Sequence, residues 1–121
     1  MDALTRYSSF RDFVARTFSE ATQQAVDKAL VFAAEKMEQY ARYDGRPLLD
    51  HDVAVAEIVA REIGLGRNST VAAILHDVMR IAVKEQPDTV DELTKQVRWH
   101  FGEPVLGIIV GLCKISNIKL K

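Results

Sequence analysis

His76 and Asp77 stand side by side in Val71-Ala72-Ala73-Ile74-Leu75-His76-Asp77-Val78-Met79, a run that is otherwise apolar. A titratable pair on a buried helix face has to be hydrogen-bonded, ion-paired or metal-bound, because an unpartnered buried charge is costly. A second histidine, His51, lies upstream between Asp50 and Asp52. One His from one element and a His-Asp pair from a neighbouring one are donors suited to a divalent metal. The same residues also have a plainer reading. His76 could be a satisfied core histidine, and His51 could open a helix whose positive end favours Asp50 and Asp52. His100, next to Trp99 near a helix end, reads as structural.

The residues one turn beyond the pair decide what such a site could do. On a helix, position 77 shares a face with positions 73, 74, 80 and 81. Positions 80 and 81 hold Arg80 and Ile81. Metal-assisted hydrolysis needs a polarised water and usually a group that takes its proton. A guanidinium opposes a divalent cation and takes no proton near neutral pH. This helix therefore carries ligand types without the proton-transfer groups.

The elements that must position these residues read as helices throughout, since apolar residues recur at three- and four-residue spacing. Phe10, Phe13, Val14 and Phe18 mark a short first helix, and Ser19 caps a second running from about Glu20 to Tyr40. Asp-Gly and Pro turn the segment Arg42–Pro47. Asp50 or Asp52 caps a third helix to about Ile63, stopped by Gly64 and Gly66. Asn68 or Ser69 caps a fourth, through about Lys84. After Pro87-Asp88, Thr89 and Glu92 form a capping box for a fifth helix to about Phe101. Gly102 stops that one, and Pro104 suits the first turn of a sixth.

A chain of 121 residues makes one domain with a single core. Its net charge of −1 gives no general pull toward nucleic acid or membrane. The lone Cys113 rules out an internal disulfide and suits the cytosol. The N-terminus lacks the apolar stretch of a signal peptide, and Val105–Cys113 is too short to span a bilayer.

The order and spacing of several segments point to a known family. Arg42-Tyr43-Asp44-Gly45-Arg46-Pro47-Leu48-Leu49-Asp50-His51 resembles the Arg-x-x-Gly-x-Pro-x-x-x-His segment of bifunctional RelA/SpoT homologues. Those enzymes make and degrade the alarmone (p)ppGpp. Val53–Ala60 is similar to the family's Val-Ala-x-Ile-Leu-Ala helix, and Ala72–Val78 to its Ala-Ala-Leu-Leu-His-Asp-Val. Phe101–Val105 and Gly111–Ser116 resemble its Phe-Gly-x-x-Val and Gly-Val-Thr-Lys-Leu elements, so the likeness covers about residues 25 to 118.

The resemblance implies an all-α, HD-domain-like bundle of about six helices spanning residues 1–121. It further implies the N-terminal piece of a longer cytoplasmic chain with a synthetase region downstream. In that family the module uses manganese to remove the 3′ pyrophosphate of (p)ppGpp. His51, His76 and Asp77 match three of its metal ligands, and Arg42 matches the arginine that packs on the guanine base. Two departures matter. Arg80 and Ile81 take the positions of the family's Glu-Asp pair, which leaves no catalytic residue assigned here. The family's fourth ligand is a later Asp, and this chain has none after Asp91. The expectation is a hydrolase module without turnover, structural or regulatory, in a GTP pyrophosphokinase parent. Two alternatives stay open: an active manganese-dependent 3′-pyrophosphohydrolase drawing acids from Asp50 or Asp52, and a non-catalytic guanine-nucleotide binder using Arg42.

Overall fold

The computed structural model describes residues 2–119, with side chains placed through Cys113. The side chains of Lys114, Ile115 and Ser116, part of the resemblance above, lie outside that range. Seven α-helices follow one another: α1 Ala3–Arg6, α2 Ser8–Thr17, α3 Glu20–Lys36, α4 Leu48–Ile58, α5 Arg67–Glu85, α6 Val90–Phe101 and α7 Glu103–Lys119. No strand occurs among the described residues; the one isolated bridge joins Ala41 and Pro47. The all-α bundle expected from the periodicity is present. The count is seven rather than about six because Tyr7, at φ −104° and ψ 31°, sets α1 apart from α2.

α5 is the centre. Eleven of its 19 residues are buried, from Thr70 to Ala82, so it is apolar nearly all round, as a surrounded helix must be. α3, α4, α6 and α7 pack against it. The core joins Val26, Ala29, Leu30 and Ala33 of α3 to Ile74, Leu75 and Val78 of α5. Leu93 and Val97 of α6 and Val105 and Ile109 of α7 complete it. This packing fixes the α4–α5 seam, where the candidate residues lie.

The helix ends show which local rules hold. The Ser19 hydroxyl accepts from the Thr22 amide and caps α3 as expected. Gly102, at φ 93°, ends α6 in a conformation that side chains resist. Four expectations are corrected. α3 stops at Lys36 instead of Tyr40, because the Arg42–Pro47 turn closes on itself. There the Arg42 amide donates to the Arg46 carbonyl at 2.8 Å, and the Leu48 amide draws on the Tyr40 carbonyl at 3.1 Å. α4 begins at Leu48 with Pro47 as its cap residue, so neither Asp50 nor Asp52 is a cap. Pro47, at φ −55°, already holds a helix-entry geometry and moves the start upstream. α5 begins at Arg67 behind Gly66, not behind Asn68 or Ser69, and the Thr70 hydroxyl donates to the Gly66 carbonyl at 2.9 Å. Thr89 is no capping-box residue: its hydroxyl turns back to the Gln86 carbonyl at 2.7 Å, closing a 3₁₀ turn over Pro87–Thr89.

The last turn after α4 is wider than an α-turn. Val59–Ile63 is π-helical, and Gly64 leaves it at φ 79°. The Leu65 amide then reaches the Val59 carbonyl at 3.0 Å.

Asp50, freed from capping, ties α4 to the N-terminus. Arg6 Nε and Nη2 donate to its two oxygens at 2.8 and 2.7 Å, and the Tyr7 hydroxyl donates at 2.7 Å. The Arg6 guanidinium, against a smaller opposing effect of burial, holds the Asp50 carboxyl below its ordinary range. A carboxyl lowered by folding stabilises the native state above its unfolded value, and that gain is lost as pH falls through its folded value. Asp50→Asn should therefore melt earlier than the wild type at neutral pH. The gap should narrow as the pH drops through the carboxylate range. A gap that stays constant across that range in a calorimetric series would rule out the ionised clamp.

Candidate metal centre

The first turns of α4 and the middle of α5 face each other across one seam. The inward face of α4 carries Leu49, Asp52, Val53 and Ala56, all buried. Helical spacing alone puts Asp52 on that apolar stripe. It is fully buried, and neither carboxylate oxygen finds a hydrogen-bond partner. Across from it, Asp77 of α5 is 3% exposed. His51, one residue before Asp52, is exposed at the rim. Donor atoms of His51, Asp52 and Asp77 all lie within 4.8 Å of one another.

His76 borders this group. Its Nδ1 lies 2.6 Å from the Ala73 carbonyl, so Nδ1–H donates there. Nδ1 is 3.7 Å from Asp52 Oδ1, and Nε2 is 3.6 Å from Asp77 Oδ1. A backbone carbonyl that fixes the tautomer in this way is a common support for a ligating histidine.

The electrostatics of the two carboxyls diverge. Burial, followed by a hydrogen bond to the facing Asp77 and its charge, pushes the Asp52 carboxyl far above its ordinary range. Burial works against the charge on Asp77 as well. There the Asp52 carboxyl, His76 and Arg80 outweigh it and bring Asp77 below the ordinary value. Without a metal, the proton thus rests on Asp52 and the negative charge on Asp77.

The donor set fits a hard or borderline divalent cation. Two N or O ligands at about 2.1 Å from one ion stand at most about 4.2 Å apart. The 4.8 Å spread needs only small side-chain adjustments to meet that limit. No donor reaches the two buried oxygens of Asp52, which leaves them free as ligand atoms. His51, Asp52 and Asp77 would hold it, with His76 alongside. Bound there, the ion would supply a polarised water.

Arg80 turns toward the cluster and Ile81 away from it. Arg80 Nε donates to Asp77 Oδ1 at 2.6 Å. Ile81 is buried, 8% exposed, and lines a separate cleft of about 370 Å³ with Lys36, Tyr40, Gln86 and Glu92. Arg42 is exposed on the turn that leads into α4. The structure thus brings together His51 and Asp77 of the expected ligands, sets His76 at their edge, and leaves Arg42 outside the buried cluster. Asp52 was not among the expected ligands. Its signal was available in the sequence as a charged residue in register with Leu49, Val53 and Ala56. His100, exposed near the end of α6, has its ring centre 6.2 Å from that of Phe32 and 6.1 Å from that of Phe101.

Comparison with known proteins places the chain in a family. A family described as HD domain matches residues 29–121. A guanosine-3′,5′-bis(diphosphate) 3′-pyrophosphohydrolase of Aquifex aeolicus is 34% identical over 98 residues, covering 81% of this chain and 13% of its own length. The bifunctional (p)ppGpp synthase/hydrolase SpoT of Escherichia coli is 27% identical over 115 residues, covering 95% of this chain and 15% of its own length. A probable GTP pyrophosphokinase of Mycobacterium leprae is 29% identical over 103 residues, covering 85% of this chain and 12% of its own length. This chain thus spans about an eighth of the length of these relatives. No solved structure gives a significant match. Among the described residues, no helix is long and apolar enough to cross a membrane.

Proposed function

This chain belongs to the HD domain family, and from that premise we propose that it is a (p)ppGpp-binding module whose hydrolase site does not turn over. The observation that carries the reading is Arg80. A guanidinium seated on Asp77 occupies the turn that would have to deprotonate the attacking water. The ligand class is carried over from the hydrolase and synthase relatives. A planar guanidinium at Arg42 suits a purine face. The role is structural or regulatory, beside a (p)ppGpp synthetase region of a GTP pyrophosphokinase parent. The E. coli relative, a synthase/hydrolase by name, supports that pairing.

A second reading, an active manganese-dependent 3′-pyrophosphohydrolase, draws on the unpartnered oxygens of Asp52. One experiment separates the two. The protein is titrated with (p)ppGpp while pyrophosphate release is followed with manganese present. Binding without steady release, weakened roughly tenfold or more in Arg42→Ala, is the expected outcome, a loss of about 1.4 kcal/mol. Sustained release that disappears in His76→Ala would replace the proposal with the hydrolase. Unchanged binding in Arg42→Ala would remove the assigned contact.

A further inference from the structure

We propose that Arg80 is the resident cation of the His51–Asp52–Asp77 cluster, occupying the seat of a divalent metal and excluding it. The inference goes beyond the proposed function. It rests on the HD placement of the cluster and needs no nucleotide.

Three observations carry it. Arg80 Nε lies 2.6 Å from Asp77 Oδ1, a charge-assisted bond one helical turn away. The Asp77 side chain is only 4% exposed while that of Arg80 is 40% exposed, so the guanidinium closes the open side of a buried carboxylate. The other acids leave it no rival. Asp50 is engaged by Arg6 and Tyr7, and Asp52 receives no donor. The remaining neighbours of Asp77 are His51 and His76, the latter bonded to a backbone carbonyl.

An arginine stays charged at any pH the fold survives. A divalent ion approaching Asp77 therefore meets a fixed like charge at hydrogen-bond range from its own ligand. Metal entry requires the Arg80 side chain to swing out along its exposed side, giving up its bond to Asp77. Removing the guanidinium should therefore create a metal site from residues already in place, with Asp52 as the ligand that the wild type cannot use.

The test uses manganese alone, with free ion measured by paramagnetic resonance, on the wild type, Arg80→Ala, Arg80→Gln and Arg80→Ala combined with Asp52→Asn. Binding should tighten by about 10- to 100-fold in both single variants, the scale on which groups around a metal tune its affinity. The Asp52→Asn change should cancel the gain. Arg80→Gln keeps an N–H donor for Asp77, so it reports on charge even if Arg80→Ala does not fold. Wild-type binding as tight as that of the single variants, no gain in either, or a gain that survives Asp52→Asn would each overturn the proposal. None of these results bears on pyrophosphate release, so the proposed function can fail or stand separately.

Discussion

Asp52→Leu is expected to raise the melting temperature of the metal-free protein by several degrees. Leucine has the branched shape of aspartate, with two methyl groups in place of two oxygens. The carboxyl it replaces is fully buried on an apolar face, and no donor reaches either oxygen. Buried acceptors left without a donor cost about 1–3 kcal/mol each. For a domain of this size each kcal/mol is worth roughly 4 °C. Leucine also suits the interior of α4 better than aspartate. The pH dependence has a definite sign. Burial and Asp77 raise the folded carboxyl above its unfolded value, so folding takes up a proton. That uptake costs nothing below the unfolded value and more as the pH rises above it. The advantage of Asp52→Leu should therefore grow from about pH 4 to pH 7, a window that begins at the free carboxylate value. Thermal unfolding in chelator across that window checks it. A variant that melts at or below the wild type would show that the contact of Asp52 with Asp77 outweighs the cost of burying it.

Ile74→Ala should cost about 2–5 kcal/mol, the range for a large-to-small change at a packed site. Ile74 is fully buried near the middle of α5, two residues before His76. Domains of this kind have only about 5–15 kcal/mol in total. The variant is thus expected to lose a large fraction of its stability. Urea unfolding should show a lower midpoint with an unchanged slope, the mark of a stability change within one cooperative transition. A loss under about 1 kcal/mol would mean that α5 is not the helix around which the others pack.

Much of this was legible before any coordinates. The 3.6-residue pattern located every long helix, and Gly64 and Gly102 ended theirs because they adopt φ values of 79° and 93°. Starts were harder to read. Several residues near each start can accept from an amide, and tertiary contacts choose among them. Asp50 is claimed by Arg6 and Tyr7, and the Thr89 hydroxyl by the Gln86 carbonyl. The first choice is tertiary; the second is made by the 3₁₀ turn that runs into α6. At the site, His51 and Asp77 were readable from spacing, and the obstacle at Arg80 from the i,i+3 rule. The part of Asp52 was half readable: its place on the apolar stripe follows from spacing, its lack of a donor does not. Only a three-dimensional neighbourhood shows that no donor reaches it.

The π-helical turn at Val59–Ile63 has a consequence for changes in chain length. A turn with i→i+5 bonding holds one residue more than an α-turn would. Losing one residue there would return it to ordinary α-geometry, and the adjustment would fall on Gly64 and Leu65 rather than upstream. His51 and Asp52 lie in the opening turns of α4, so a single-residue deletion within 59–63 leaves their register untouched. The same deletion between Asp52 and Ile58 would rotate the rest of α4 by about 100° relative to the seam. The widened turn thus acts as a slack segment, insulating the ligand-bearing end of the helix from length variation in the loop that follows.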